Sequence, residues 1–132
     1  MDVVVDTSVI IAVISNEPQR DRLIDLTKGA DLLAPPSVHW EVGNAMSAML
    51  RRSRITLAQA LQAIQIYHQI PIRFVETELE DTLTIAAQLD IYAYDAYLIR
   101  CALKYSAPLV SLDKGLLQAA QRASAGVVEV GP

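Results

Sequence analysis

The stretch Val3-Val4-Val5-Asp6-Thr7-Ser8-Val9-Ile10 sets the architecture of the whole chain. Three β-branched residues in succession leave no polar face, the pattern of a strand covered on both sides. Asp6-Thr7-Ser8 then supplies helix-capping chemistry ahead of the apolar run from Val9 to Ile14. Strand, turn and helix follow one another without a break. With Thr7 or Ser8 available as the cap, Asp6 is not needed for capping. A charge set directly behind three buried valines demands compensation, so Asp6 is the strongest single sign of chemistry in the chain.

Beyond this stretch, a second helix is expected from about Gln19 to Lys28, stopped by Gly29, and a short strand from Leu32 to Ala34. After Pro35-Pro36, Ser37 can cap a long helix in which Val38, Val42, Ala45, Met46 and Met49 form an apolar stripe and Arg51-Arg52 mark the end. Thr56 can cap the next helix, with Leu57, Ala60, Leu61, Ile64 and Tyr67 at helical spacing until Pro71 closes it. Ile72 to Val75 reads as a third strand, followed by helices over about Glu78 to Leu89 and Tyr94 to Tyr105. Leu109, Val110 and Leu112 make a fourth strand with Asp113 at its C-terminal end, Leu116 to Ala123 is helical, and Val127 to Val130 is a last strand. This alternation predicts an α/β fold of three layers, a mainly parallel central sheet flanked by helices. No linker or repeat interrupts it, and one domain over residues 1–132 is expected.

The composition bounds the function. Hydrophobic residues make up 52% of the 132 residues, yet with one Trp, five Tyr and one Phe the core must be mainly aliphatic. The single cysteine, Cys101, excludes an internal disulfide. Its apolar neighbours Ile99, Ala102 and Leu103 predict a buried, unreactive thiol and fit a reducing, cytoplasmic setting. The N-terminus lacks the basic region of a signal peptide, and Asp6 breaks the first apolar run, so no membrane association is expected. A net charge of −4 argues against coating nucleic acid without regard to sequence, which needs many Lys and Arg on phosphates. It leaves room for a nuclease that recruits phosphate through metal ions held by carboxylates.

The candidate site is acidic. In open α/β sheets ligands bind beyond the carboxyl ends of the strands, where this sequence places Asp6 and Asp113. Glu41 and Asp95 are expected in the first turns of two further helices that begin at the same edge, so four carboxylates can converge. Carboxylates held close together repel unless a proton or cation intervenes, and oxygen-only ligands favour Mg²⁺ or Mn²⁺. Zinc would want His or Cys, but His39 and His68 lie on different helices and Cys101 is isolated.

Plainer readings compete at each position. Asp113, ahead of Lys114-Gly115, reads equally as a helix cap and as a catalytic group. Acidic residues favour first turns on electrostatic grounds alone, which touches Asp95, although Ala93 and Tyr94 beside it suggest partial burial. Glu41 is the least distinctive, marked only by Asn44 at i+3 on its face. The Arg51, Arg52 and Arg54 cluster reads first as a solvated helix terminus and second as an RNA-backbone contact. His39, Trp40 and His68 read as packing or surface residues. Core and interface roles outweigh base stacking for Tyr92, Tyr94, Tyr97 and Tyr105.

Four segments in order give the chain a family resemblance over essentially its whole length. Val3 to Ile10 with Asp6-Thr7-Ser8, Pro36 through Glu41 to Asn44, Tyr94-Asp95-Ala96-Tyr97-Leu98, and Pro108 through Ser111 to Asp113 resemble the motifs of PIN-domain toxins of the VapBC type. Each is weak alone; their order is specific. The resemblance implies an acidic quartet of Asp6, Glu41, Asp95 and Asp113, supported by Ser8, Asn44 and Ser111. Ser111 stands where the family often has threonine and keeps the hydroxyl. It implies Mg²⁺ or Mn²⁺ as cofactor and endonucleolytic cleavage of RNA, with Asp6, Asp95 and Asp113 as metal ligands. It also implies an antitoxin partner that blocks the groove, and toxin homodimers. Two rivals are a catalytically silent module that binds RNA or protein, and an aspartyl-phosphate phosphotransfer domain built on Asp6. The intact quartet counts against the first. Against the second, Ser8 stands where a second aspartate would be wanted.

Overall fold

Val3, Val4 and Val5 are all buried, at 2% exposure or less. Successive strand residues point to opposite faces, so both faces of this strand are covered and the fold has three layers. The computed structural model describes residues 1–130. The strand is β1 (Asp2–Val5), and the order continues α1 (Thr7–Ile14), α2 (Arg20–Thr27), β2 (Asp31–Ala34), α3 (Ser37–Arg51), α4 (Leu57–Gln69) and β3 (Ile72–Phe74). Then come α5 (Leu79–Leu89), α6 (Ala93–Lys104), β4 (Leu109–Val110), α7 (Lys114–Arg122) and β5 (Val127–Val128).

The five strands form one wholly parallel sheet in the order β3-β2-β1-β4-β5. Val4 pairs with Leu33 on one side and Leu109 on the other, which puts β1 in the middle. The chain builds outward from β1 through β2 to β3, then returns by way of α5 and α6 to begin β4 on β1's other edge. That reversal opens a crevice at the carboxyl ends of β1 and β4, the place where such sheets take ligands.

α1 packs against α2, α3 and α4, while α6 lies on β1 and β4 and packs against α5 and α7. The apolar stripe read from α3 is real, with Val38, Val42 and Met46 buried. Thr56 caps α4 through a full capping box with Gln59. Cys101 is buried as expected, which pushes its thiol up to about 12.

Several local expectations are corrected. Asp6 itself caps α1, accepting from the Val9 N–H, because its backbone is extended where Thr7 and Ser8 are already helical. Ser37 does not cap α3: it is the first helical residue, Pro36 stands at the cap position, and the Ser37 hydroxyl is buried without a partner. Leu112 falls outside β4, and β5 ends at Val128. Both strands stop once they run out of pairing partners, which a hydrophobic pattern does not register.

Candidate active site

Asp6 leaves the C-terminal end of β1 with 5% exposure. Its Oδ1 accepts from Ser8 Oγ at 2.7 Å and Val9 N at 3.2 Å, and its Oδ2 from Ser111 Oγ at 2.7 Å. The two serines extend the network across the crevice. Ser8 Oγ accepts from the Leu112 N–H at 3.0 Å, and Ser111 Oγ from the Asp113 N–H at 2.9 Å. The ends of β1 and β4 are thereby stitched together around one buried carboxylate. Burial pushes the Asp6 carboxyl above its ordinary pKa; the bonds from Ser111, Ser8 and Val9 hold it back, and the charge of Asp113 adds to the rise.

Asp113 is exposed and caps α7, its Oδ1 accepting from the Leu116 N–H at 3.1 Å. The two readings of Asp113 are compatible, since one oxygen caps and the other stays free. A Cβ on Gly115 would stand 3.3 Å from Asp113 Oδ1, so glycine there leaves the carboxylate room.

Asp95 lies in the first turn of α6, half-buried, and its carboxyl is raised first by burial and then by Asp113. Glu41 lies one residue further into its helix than the sequence suggests, because α3 starts at Ser37. Its Oε2 accepts from Thr7 Oγ1 at 2.7 Å. Burial raises the Glu41 carboxyl, the Thr7 bond opposes this, and Asp95 raises it further. Thr7 escaped the sequence reading, which treated it only as a capping residue. Its position directly after Asp6 was the available signal.

The quartet is thus linked through pairs that sense each other's charge: Asp6 with Asp113, Asp113 with Asp95, Asp95 with Glu41. Among the described residues none of the four has a cationic partner within ion-pair distance. The nearest cations along α6, Arg100 and Lys104, are held by Glu78 and Asp81. Lys104 and then Arg100 keep Glu78 down at about 2.

Neighbouring carboxylates without a cationic partner, three of which (Asp6, Glu41 and Asp95) are raised above their ordinary pKa, suit a divalent metal. Among the described residues no three acidic, His or Cys side chains form a ready-made cage. An ion such as Mg²⁺ needs no such cage, since it takes one or two carboxylates and keeps waters.

The remaining candidates fall elsewhere. Asn44 is exposed, and only its carbonyl is engaged, by Ser47. Arg51, Arg52 and Arg54 are exposed or nearly so at the C-terminal end of α3, about 15 Å along the helix from Glu41. Among the described residues no helix is long and apolar enough to cross a membrane.

Comparison with known proteins agrees with this architecture. PAE2754 of Pyrobaculum aerophilum is similar with a TM-score of 0.75 and 24% identity, over 98% of this chain and 92% of the other. FitAcB of Neisseria gonorrhoeae is similar with a TM-score of 0.69 and 18% identity, over 98% and 97%. VapBC2 of Rickettsia felis, bound to a DNA fragment from their promoter, is similar with a TM-score of 0.67 and 13% identity, over 97% and 98%. At these identities the likeness is one of fold. No curated protein sequence matches the chain. Residues 3–122, from β1 to the last residue of α7, match the family described as PIN domain. The chain belongs to the PIN domain family.

Proposed function

We propose that the protein is a divalent-metal-dependent endoribonuclease acting as the toxin of a toxin/antitoxin pair, with one nuclease unit spanning the chain. The observation that carries this reading is the carboxyl-terminal edge of β1 and β4, where Asp113 raises the carboxyls of both Asp6 and Asp95 and no cationic side chain is paired to the three among the described residues. Mg²⁺ or Mn²⁺ held among Asp6, Asp95 and Asp113, by one or two of them directly and by waters at its other positions, would supply a water of lowered pKa and neutralise charge on the phosphate. Asp6 is the fixed member, its oxygens aimed by Ser8, Ser111 and the Val9 N–H. Asp113 and Asp95 are the more accessible members that face substrate. Glu41, aimed by Thr7, orients the attacking water or completes the shell.

The toxin role rests on the motif resemblance to VapBC-type toxins and on the likeness of fold to VapBC2 and FitAcB. An antitoxin and a second copy of the chain are the proposed protein partners, in a cytoplasmic setting. Leucine pairs at helical spacing, Leu57 with Leu61 and Leu79 with Leu83, offer exposed apolar surface for such contacts.

The test is cleavage of defined RNAs by purified protein with Mg²⁺, Mn²⁺ or chelator. Cutting should need the metal and fall at least about 100-fold in Asp6→Asn and Asp95→Asn. Undiminished cleavage in both variants would refute the assignment. A folded, metal-supplied wild type that cut no RNA in a broad panel would favour a silent binding module.

A further inference from the structure

We propose that the open groove beside Glu41 and Asp95 is a stacking site for an unpaired nucleobase of the RNA, with Trp40 and Tyr94 as its platforms. This rests on the nuclease reading and deepens it by naming the side chains that receive a base of the substrate strand. The groove has a volume of about 410 Å³, and Pro36, Trp40, Tyr94 and Tyr97 line it together with Glu76, the one charged side chain of its lining among the described residues.

Placement is the first argument. Glu41 on α3 senses the charge of Asp95 on α6, and Trp40 and Tyr94, one position before each, line one groove between the first turns of the same two helices. On this proposal, a strand whose phosphate reaches the carboxylates places a neighbouring base in this groove.

Exposure is the second. Trp40 is 71% exposed and Tyr94 57%, so neither ring is spent on the core. Both are nonetheless braced. Tyr94 leans on Tyr97 with centroids 6.5 Å apart, and Trp40 stands edge-on to His39 at 5.0 Å. His39 is in turn tied to Tyr67 by a 2.9 Å Nδ1–hydroxyl hydrogen bond. Braced rings cost little ordering entropy when a flat ligand settles on them.

Charge is the third. A lining with a carboxylate and no cation repels phosphate but leaves neutral π faces free, and every base has a π face. Bases in a duplex are already stacked on both sides, so only unpaired ones can be received.

Trp40 is the chain's single tryptophan, so indole emission reports on the surroundings of Trp40. In the Asp95→Asn full-length protein, a single-stranded oligoribonucleotide should quench that emission saturably, and the same RNA annealed to its complement should not. In the otherwise wild-type protein, Trp40→Leu and Tyr94→Leu should each raise KM for single-stranded RNA by roughly ten-fold with kcat little changed, and Trp40→Phe should restore most of the loss. Metal-dependent cleavage with KM unmoved in both leucine variants, or equal quenching by duplex, would overturn the stacking site while leaving the nuclease reading intact. Leucine variants that keep their KM but lose self-association would assign the groove to a second copy of the chain. A wild type that neither cuts nor binds RNA would overturn the nuclease reading and the stacking site with it.

Discussion

A single buried carboxylate, Asp6, is made tolerable by three donors that reach it from two strand ends. Removing one donor should expose the cost. Ser111→Ala leaves Asp6 Oδ2 without its 2.7 Å partner and frees the Asp113 N–H that Ser111 also receives. Denaturant unfolding should show a loss of about 1–3 kcal/mol, the penalty for an unsatisfied buried polar group. An unchanged midpoint would mean that water replaces the hydroxyl. Asp6 and Asp113 were legible in the sequence, because charge behind a valine run and charge ahead of a glycine stand out in one dimension. The bond between Thr7 and Glu41 was not, since 34 residues separate the partners and only the packing of α1 against α3 joins them.

Among the secondary-structure elements, α3 shows how a helix divides its work. Its buried stripe fixes the helix on the core, which points Glu41 toward the crevice and leaves Gly43 facing solvent with nothing within 4 Å of an added Cβ. Gly43→Ala should stabilise the protein by about 0.5–1 kcal/mol in the same unfolding assay, through helix propensity alone. A destabilised variant would mean that something covers this face in solution. The arginines at the other end of α3 test how far RNA extends. If the backbone runs along α3, replacing Arg51, Arg52 and Arg54 with Gln should flatten the salt dependence of RNA binding by about 0.7 for each phosphate left without its arginine. An unaltered slope returns the cluster to a solvated helix terminus favoured by the dipole. Helix stripes were legible because their period is local. The start of α3 departs from the expectation at Ser37 because Pro36 already has helical backbone angles, the conformation proline favours at a helix entry, which leaves Ser37 inside the helix.

For the molecule as a whole, the quartet makes stability depend on pH and metal together. Asp6, Glu41 and Asp95 are all raised above their ordinary pKa, first by burial. A folded pKa above the unfolded one means that the native state holds the extra proton between the two values. Stability from these groups is therefore present at low pH and lost as pH rises through the folded pKa. In chelator, the stability of wild type relative to Asp6→Asn should fall as pH rises above the ordinary aspartate range. The comparison removes the opposite contribution of Glu78, which is displaced downward. Mg²⁺ should raise the thermal midpoint at about pH 7 and raise it less at about pH 5, where protons compete for the same oxygens. A metal effect independent of pH would place the ion elsewhere.

Amino-acid order alone was enough for the alternation of strands and helices and the parallel sheet, and for naming four carboxylates as candidates, because hydrophobic period and strand-end position are properties of short segments. Three-dimensional packing supplied the rest. Sheet order β3-β2-β1-β4-β5 places β4 beside β1 and so brings Ser111 to Asp6 across 105 residues. Packing of α3 and α6 at one edge of the sheet leaves Trp40 and Tyr94 outside the core, exposed beside Glu41 and Asp95, where the sequence had assigned them to packing, surface or interface. Which side chains meet depends on which elements adjoin, and adjacency is settled by burying every apolar face at once.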